Sequence, residues 1–188
     1  MTGQFLSFGS GEYWVFFTLL LFARGMDFLS TFVATPSLLL EGNPLARRMG
    51  WKWGALVNLA LCFGFGFWPP TAIIVTTAGL LVAAHNFHSA WLMRTMGEEA
   101  YRDWFLERMA QTPRLLYFAC LCGETMLTAL PGVALIWFCN EDTIPFAIGY
   151  GIVAYAAIVF FYTSLSLWRL RRREVKKEPC IIRDNLNS

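Results

Sequence analysis

Two histidines stand three residues apart in His85-Asn86-Phe87-His88, inside a long apolar run, and other polar groups share that kind of surrounding: Arg24 and Asp27 in ARGMDFLST, and Glu124 in CGETML. A helix turns about 100° per residue, so His85 and His88 point to nearly the same side. Two imidazoles with one or more carboxylates form a first shell for zinc or non-haem iron. The set this suggests is His85, His88, Asp27 and Glu41. HNFH lacks both the four-residue spacing and the intervening glutamate of the helical zinc signature HExxH. Hydrogen bonding of the imidazoles to Asp27, Glu124 or water is therefore the favoured reading, and a metal the second.

Each polar group also has a purely structural account. Arg24 and Asp27 are three apart and neutralise one another as a local pair. Asp27, Ser30 and Thr31 share a face that can serve as packing glue, with Thr31 bonding back to a carbonyl one turn earlier. Glu124 is an alternative partner for Arg24. In Glu41-Gly42-Asn43-Pro44, Asn43 suits an N-cap, Pro44 the first helical position and Gly50 a stop, so EGNPLARRMG reads as a turn and a short helix. Glu41 either ties down the backbone of that turn or, if the turn folds back under the helix ends, approaches His85 or His88. The candidate polar site is thus Arg24, Asp27, Thr31, Glu41, Asn43, His85, Asn86, His88 and Glu124.

The elements that must hold these groups are membrane helices. Of 188 residues 56% are hydrophobic and only 15% charged, with 17 Phe and 8 Trp, outside the range of soluble domains. A bilayer core of about 30 Å takes about 20 apolar residues in a helix. The sequence predicts an all-α fold, a polytopic membrane helix bundle of about five transmembrane helices, at about 13–34, 53–68, 70–93, 114–138 and 145–168. Trp53 and Trp68 bracket the short second span as interfacial anchors. Pro69-Pro70 makes a tight hairpin, and Thr35-Pro36 ends the first span. A short interfacial amphipathic helix is expected at about 96–110, with a Thr95/Glu98 capping box and Tyr101, Trp104, Phe105 and Met109 opposite Arg102, Asp103 and Glu107. Residues 1–170 form the membrane domain and 171–188 a basic cytoplasmic tail. Cys120 and Cys122 face different ways on a helix, which disfavours a metal pair, and the five cysteines form no disulfide framework.

Arg47, Arg48 and Lys52, then Arg94, Arg102, Arg108 and Arg114, then the tail cluster from Arg169 to Lys177, all fall on one side of five spans. The positive-inside rule then sets the N-terminus outside and the C-terminus in the cytoplasm of a multi-pass protein in the cell membrane, a bacterial inner membrane. The tail reads as a topology determinant rather than a nucleic-acid contact. The sequence has no GxSxG elbow and no Gly-rich phosphate loop, and no lysine lies in the spans, which argues against a retinal Schiff base. GFGF and GYG lie in apolar spans, where glycines permit close helix packing.

Asp-x-x-Ser-Thr from Asp27 to Thr31, followed by Glu41-x-Asn43-Pro44, resembles a family of small bacterial integral membrane proteins that share an Asp and Thr in one helix and a Glu-x-Asn-Pro turn entering the next. The resemblance covers about residues 20–65. The sequence departs from the pattern at Asn58, where a basic residue is common, and continues through three further spans. That family has no assigned activity, so the resemblance implies a fold and highlights residues without naming a reaction.

Three functions compete. The leading one is an accessory or subunit protein packing in a larger membrane complex or a homo-oligomer, since five short-looped spans leave no large soluble part. The second is a membrane-embedded, metal-dependent enzyme acting on a lipid or lipid-linked substrate at the cytoplasmic leaflet, with zinc or iron as cofactor. The third is a small transporter or proton-coupled carrier using Asp27, His85 and Glu124 as relay groups, disfavoured by the lack of an inverted repeat.

Overall fold

Ser10 accepts a hydrogen bond from the Tyr13 N–H at 3.2 Å and starts helix α1, Gly11–Ala34. The computed structural model describes residues 5–41, 43–141 and 143–184, with side chains through Ser166 and that of Trp168. Five further helices follow: α2, Pro44–Phe65; α3, Pro69–Met96; α4, Glu98–Gln111; α5, Arg114–Phe138; and α6, Ile144–Asp184. Four segments are long and apolar enough to cross a membrane, namely α1, α3, α5 and the Ile144–Ser166 part of α6. Helix α6 continues past the expected end of its span at 168 to Asp184. The side chains of the basic tail lie outside those described, as do residues 185–188.

The expected second span, 53–68, is not among the four. It forms the second part of α2, whose first turns carry Arg47, Arg48 and Lys52 and whose backbone breaks at Gly50, with φ 68° and ψ −174°. Only glycine adopts that conformation without strain, so the short helix stops where the sequence placed its end. Asn43 caps its start, accepting from the Leu45 N–H at 3.0 Å, and Pro44 follows at the first position. Beyond Gly50 the helix runs antiparallel along α1. Trp51 lies 5.7 Å from Phe28 and 5.5 Å from Phe32 by ring centroids, and Phe63 lies 4.6 Å from Phe17. Trp51 also donates its indole N–H to the Pro36 carbonyl at 3.0 Å. Residues 51–65 rise about 22 Å, somewhat less than a hydrocarbon core.

The principal packing pairs are α1 with α3, α3 with α6 and α6 with α5, so the four long helices form an open row in the order α1, α3, α6, α5. Glycines set the spacing on the far side of the row. A Cβ added at Gly149 would stand 2.7 Å from the Gly132 carbonyl oxygen, and one at Gly151 would stand 2.6 Å from Thr77 Cβ. The GYG motif therefore brings α6 into backbone contact with both α5 and α3, as expected of membrane helix packing. The GFGF pair is divided: Gly66 packs against Tyr13, whereas Gly64 has open space beside it.

Replacing Gly149 with alanine forces two backbones apart and is expected to cost about 1–3 kcal/mol, the range for overpacking. Gly123→Ala, at a helical glycine with nothing within 4 Å of a new Cβ, should be neutral or stabilising by about 0.5–1 kcal/mol. Unfolding of both variants in detergent checks the difference, and equal shifts would contradict the packing.

Candidate functional site

The polar groups are placed by a seam between α1 and α3. Phe16, Leu20, Ala23, Asp27, Ser30 and Ala34 alternate at spacings of four and three along α1, and all but Asp27 are buried. Ala72, Thr76, Gly79, Ala83, Asn86 and Ala90 do the same along α3. The two helices run parallel at a constant offset. Phe16 and Ala72 share a core cluster, a Cβ on Gly79 would meet Ala23 Cβ at 3.7 Å, and the Asn86 amide donates to Ser30 Oγ across 56 residues of sequence at 3.3 Å. This is the spacing of a coiled-coil seam. Small residues on α3 let α1 approach closely.

The half of the seam toward the helix C-termini is polar. Fully buried Ser30 donates to the Asp27 carbonyl at 2.8 Å, and Asn86 reaches Thr31 Oγ1 at 3.5 Å as well as Ser30. The same offset sets Asp27 opposite Ala83, where a methyl leaves room for its partner. Arg24 approaches Asp27 at 3.4 Å from the preceding turn, while its Nε is buried and has no acceptor among the described residues. This is the local pair the sequence allowed, at long range for a charged hydrogen bond.

His85 belongs elsewhere. One residue before Asn86, it points about 100° away, and its Nδ1 lies 3.9 Å from Glu124 Oε1 on α5, with its ring 6.4 Å from Tyr155 on α6. Glu124 thus faces His85 rather than Arg24. His88 is exposed and makes no hydrogen bond or ion pair among the described residues. Of the nine candidate residues, Arg24, Asp27, Thr31 and Asn86 gather at the α1–α3 seam, His85 and Glu124 meet from α3 and α5 on a different face of α3, His88 stands apart, and Glu41 and Asn43 lie in the turn before α2.

Glu41 does not reach either histidine. Its carboxylate accepts from the Asn43 N–H at 2.8 Å and so ties down its own turn. Burial raises its pKa, the Asn43 bond opposes this, and the charge of Asp27 adds to the rise. Among the described residues no group of three or more His, Cys, Asp and Glu is placed to hold a metal ion. The first shell expected from His85, His88, Asp27 and Glu41 is not assembled, because the seam turns Asp27 toward Ala83 and the turn retains Glu41.

The best-satisfied carboxylate is one that the sequence assigned to a cap. Glu98 accepts from Thr35 Oγ1 at 2.6 Å, Ser37 Oγ at 2.5 Å, Ser37 N at 3.0 Å and Leu39 N at 3.3 Å. It fastens the start of α4 to the turn that ends α1. The turn holds Leu38 at φ 58°, a left-handed conformation that costs a branched residue about 1–2 kcal/mol. The Thr95/Glu98 capping box is not formed. Thr95 instead bonds back to the Trp91 carbonyl at 2.8 Å, and Gly97, at φ 83°, stands at the cap of α4. Nothing in local spacing announces a contact across some 60 residues.

Helix α4 covers almost the expected residues, and Tyr101, Phe105 and Met109 are half-buried on one side. Its faces are imperfectly separated, since Arg108 falls within the apolar arc and Leu106 outside it. Compared with known proteins, the chain matches no family model, no curated protein and no solved structure.

For Glu98, burial acts to raise the pKa, but the hydrogen bonds from Ser37, Thr35 and Leu39 outweigh it and hold the carboxyl below its ordinary value of 4.5. A depressed folded value gives stability that is present above pH 4.5 and lost as pH falls through the folded pKa. Glu98→Gln should cost about 1.5–3 kcal/mol at neutral pH, the range for bonds to a charged acceptor. Thermal melts in detergent from neutral to strongly acid pH should show wild type and variant converging. A constant difference would contradict the clamp.

Proposed function

We propose that the protein is an accessory or subunit protein that packs within a larger membrane assembly. One observation carries this reading. Glu124 lies near the middle of α5, and its side chain and that of His85 are 55% and 45% exposed on the flank of the row. A charged side chain near the bilayer centre costs about 2.5–3.5 kcal/mol on insertion scales and normally faces a bundle interior. Exposed here, the pair is supplied with that interior by another chain. An enzyme or carrier reading requires the polar groups to converge on one space. Their division between two faces of α3 and the local satisfaction of Glu41 and Glu98 favour an interaction protein.

In this reading the protein crosses the cell membrane five times, α2 making the short second crossing beside α1, with the N-terminus outside and the C-terminus cytoplasmic. The support is that α2 returns antiparallel along α1 and that five crossings put the basic loops on one side. In a cysteine-free background, Ser7→Cys should react with an impermeant thiol reagent from outside, and a reporter after Arg173 should report cytoplasm. Both on one side would contradict five crossings.

For the assembly, the tagged protein extracted in mild detergent is expected to migrate as a complex heavier than one chain in its micelle. Glu124→Leu should release the single chain with its helical circular dichroism retained. A wild-type protein that migrates alone, in detergent and in lipid nanodiscs, would overturn the reading.

A further inference from the structure

We infer that the occupant of the His85–Glu124 flank is a second copy of this chain, docked about a twofold axis along the membrane normal so that Glu124 of each copy faces His85 of the other. This rests on the subunit reading and names its partner.

The flank is a polar patch carried by three helices. Helix α6 packs between α3 and α5, yet His85 from α3 and Glu124 from α5 approach to 3.9 Å. The two side chains therefore meet over α6 on one side of the row, with buried Tyr155 of α6 beneath them. On α5 the residues in line with Glu124 at helical spacing are Tyr117, Cys120, Leu127, Thr128 and Pro131, and Cys120, Leu127 and Pro131 are exposed with it. The exposed members form a stripe along one face of α5.

The chemistry of the patch limits what packs on it. At 3.9 Å the two groups are too far apart for a hydrogen bond, and neither side chain has a hydrogen-bond partner among the described residues. Each retains capacity for a group of opposite character at the same depth. Acyl chains offer none. Two copies inserted with the same topology present their groups at identical depths, so a parallel α5 laid against this patch brings a carboxylate to an imidazole twice over. An isologous contact requires a patch that complements itself, and a patch carrying one acid and one base side by side does so.

Cys120 provides a native reporter, because it lies one turn from Glu124 on the same stripe and is exposed. In a chain retaining only Cys120, mild oxidation or a short bismaleimide in native membranes is expected to yield a species of two chains. Differently tagged copies should co-purify. His85→Glu alone and Glu124→His alone should each reduce the dimer on the order of tenfold, the effect of about 1.4 kcal/mol, because each sets like groups against one another. Co-expressed, these two variants should restore the dimer as a mixed pair, a rescue that a folding defect would not give. If Cys120 does not cross-link and the mixed pair is not rescued, the twofold contact is overturned. Should a different chain then co-purify in a Glu124-dependent way, the subunit reading survives with another partner. If wild type is a lone chain, both fall.

Discussion

Close contact between α1 and the small-residue face of α3 is the constraint on which the other placements depend. Ala72, Gly79, Ala83 and Ala90 keep that face low, and Phe16, Leu20, Ala23, Ser30 and Ala34 fill it at a fixed offset. Once the register is set, Asn86 must meet Ser30 and Thr31, and Asp27 must meet a methyl group rather than a histidine. His85 is then turned away from α1 by the geometry of the helix itself. A single helix in this way carries two polar groups that cannot share a ligand.

The other half of the row is ordered by a different device. Gly132, Gly149 and Gly151 bring α6 so close to its neighbours that added methyl groups would overlap backbone atoms. That closeness is what allows side chains from α3 and α5 to meet across α6. At the end of the bundle toward which α1 and α3 run, Glu98 fastens the turn after α1 to the start of α4. Glu41 and Asn43 hold the next turn, and Gly50 breaks the chain before it climbs back along α1. Polar residues here mostly satisfy backbone groups that have no helical partner.

Apolar length and proline and glycine punctuation were enough to place α1, α3, α4 and α5 within a few residues, because these signals are local. Asn43, Pro44 and Gly50 were readable for the same reason. The second span is the weakest of the five: Trp53 and Trp68 bracket it, but the charged first turns and the break at Gly50 keep α2 out of the set of helices long and apolar enough to cross. The grouping of His85, His88, Asp27 and Glu41 relied on ligand chemistry and the spacing of the two histidines, and neither determines which face of α3 meets α1. The spacing of Ala72, Gly79, Ala83 and Ala90 could have supplied that direction, since it marks the face of α3 open to a neighbour and thereby separates Asn86 from His85. Glu98 was different in kind, because its partners lie about 60 residues away in a turn with no periodic pattern.

The register between α1 and α3 can be tested with one disulfide. Ala23→Cys and Gly79→Cys, introduced together in an otherwise cysteine-free chain, place two Cβ atoms 3.7 Å apart, within the range a disulfide spans. Oxidation in native membranes should join them rapidly within one chain, while the pairs of Phe16→Cys or Ser30→Cys with Gly79→Cys, each displaced by two helical turns, should stay reduced. Failure of the 23–79 pair with ready bonding of either displaced pair would show a different register, and the separation of Asn86 from His85 would no longer follow.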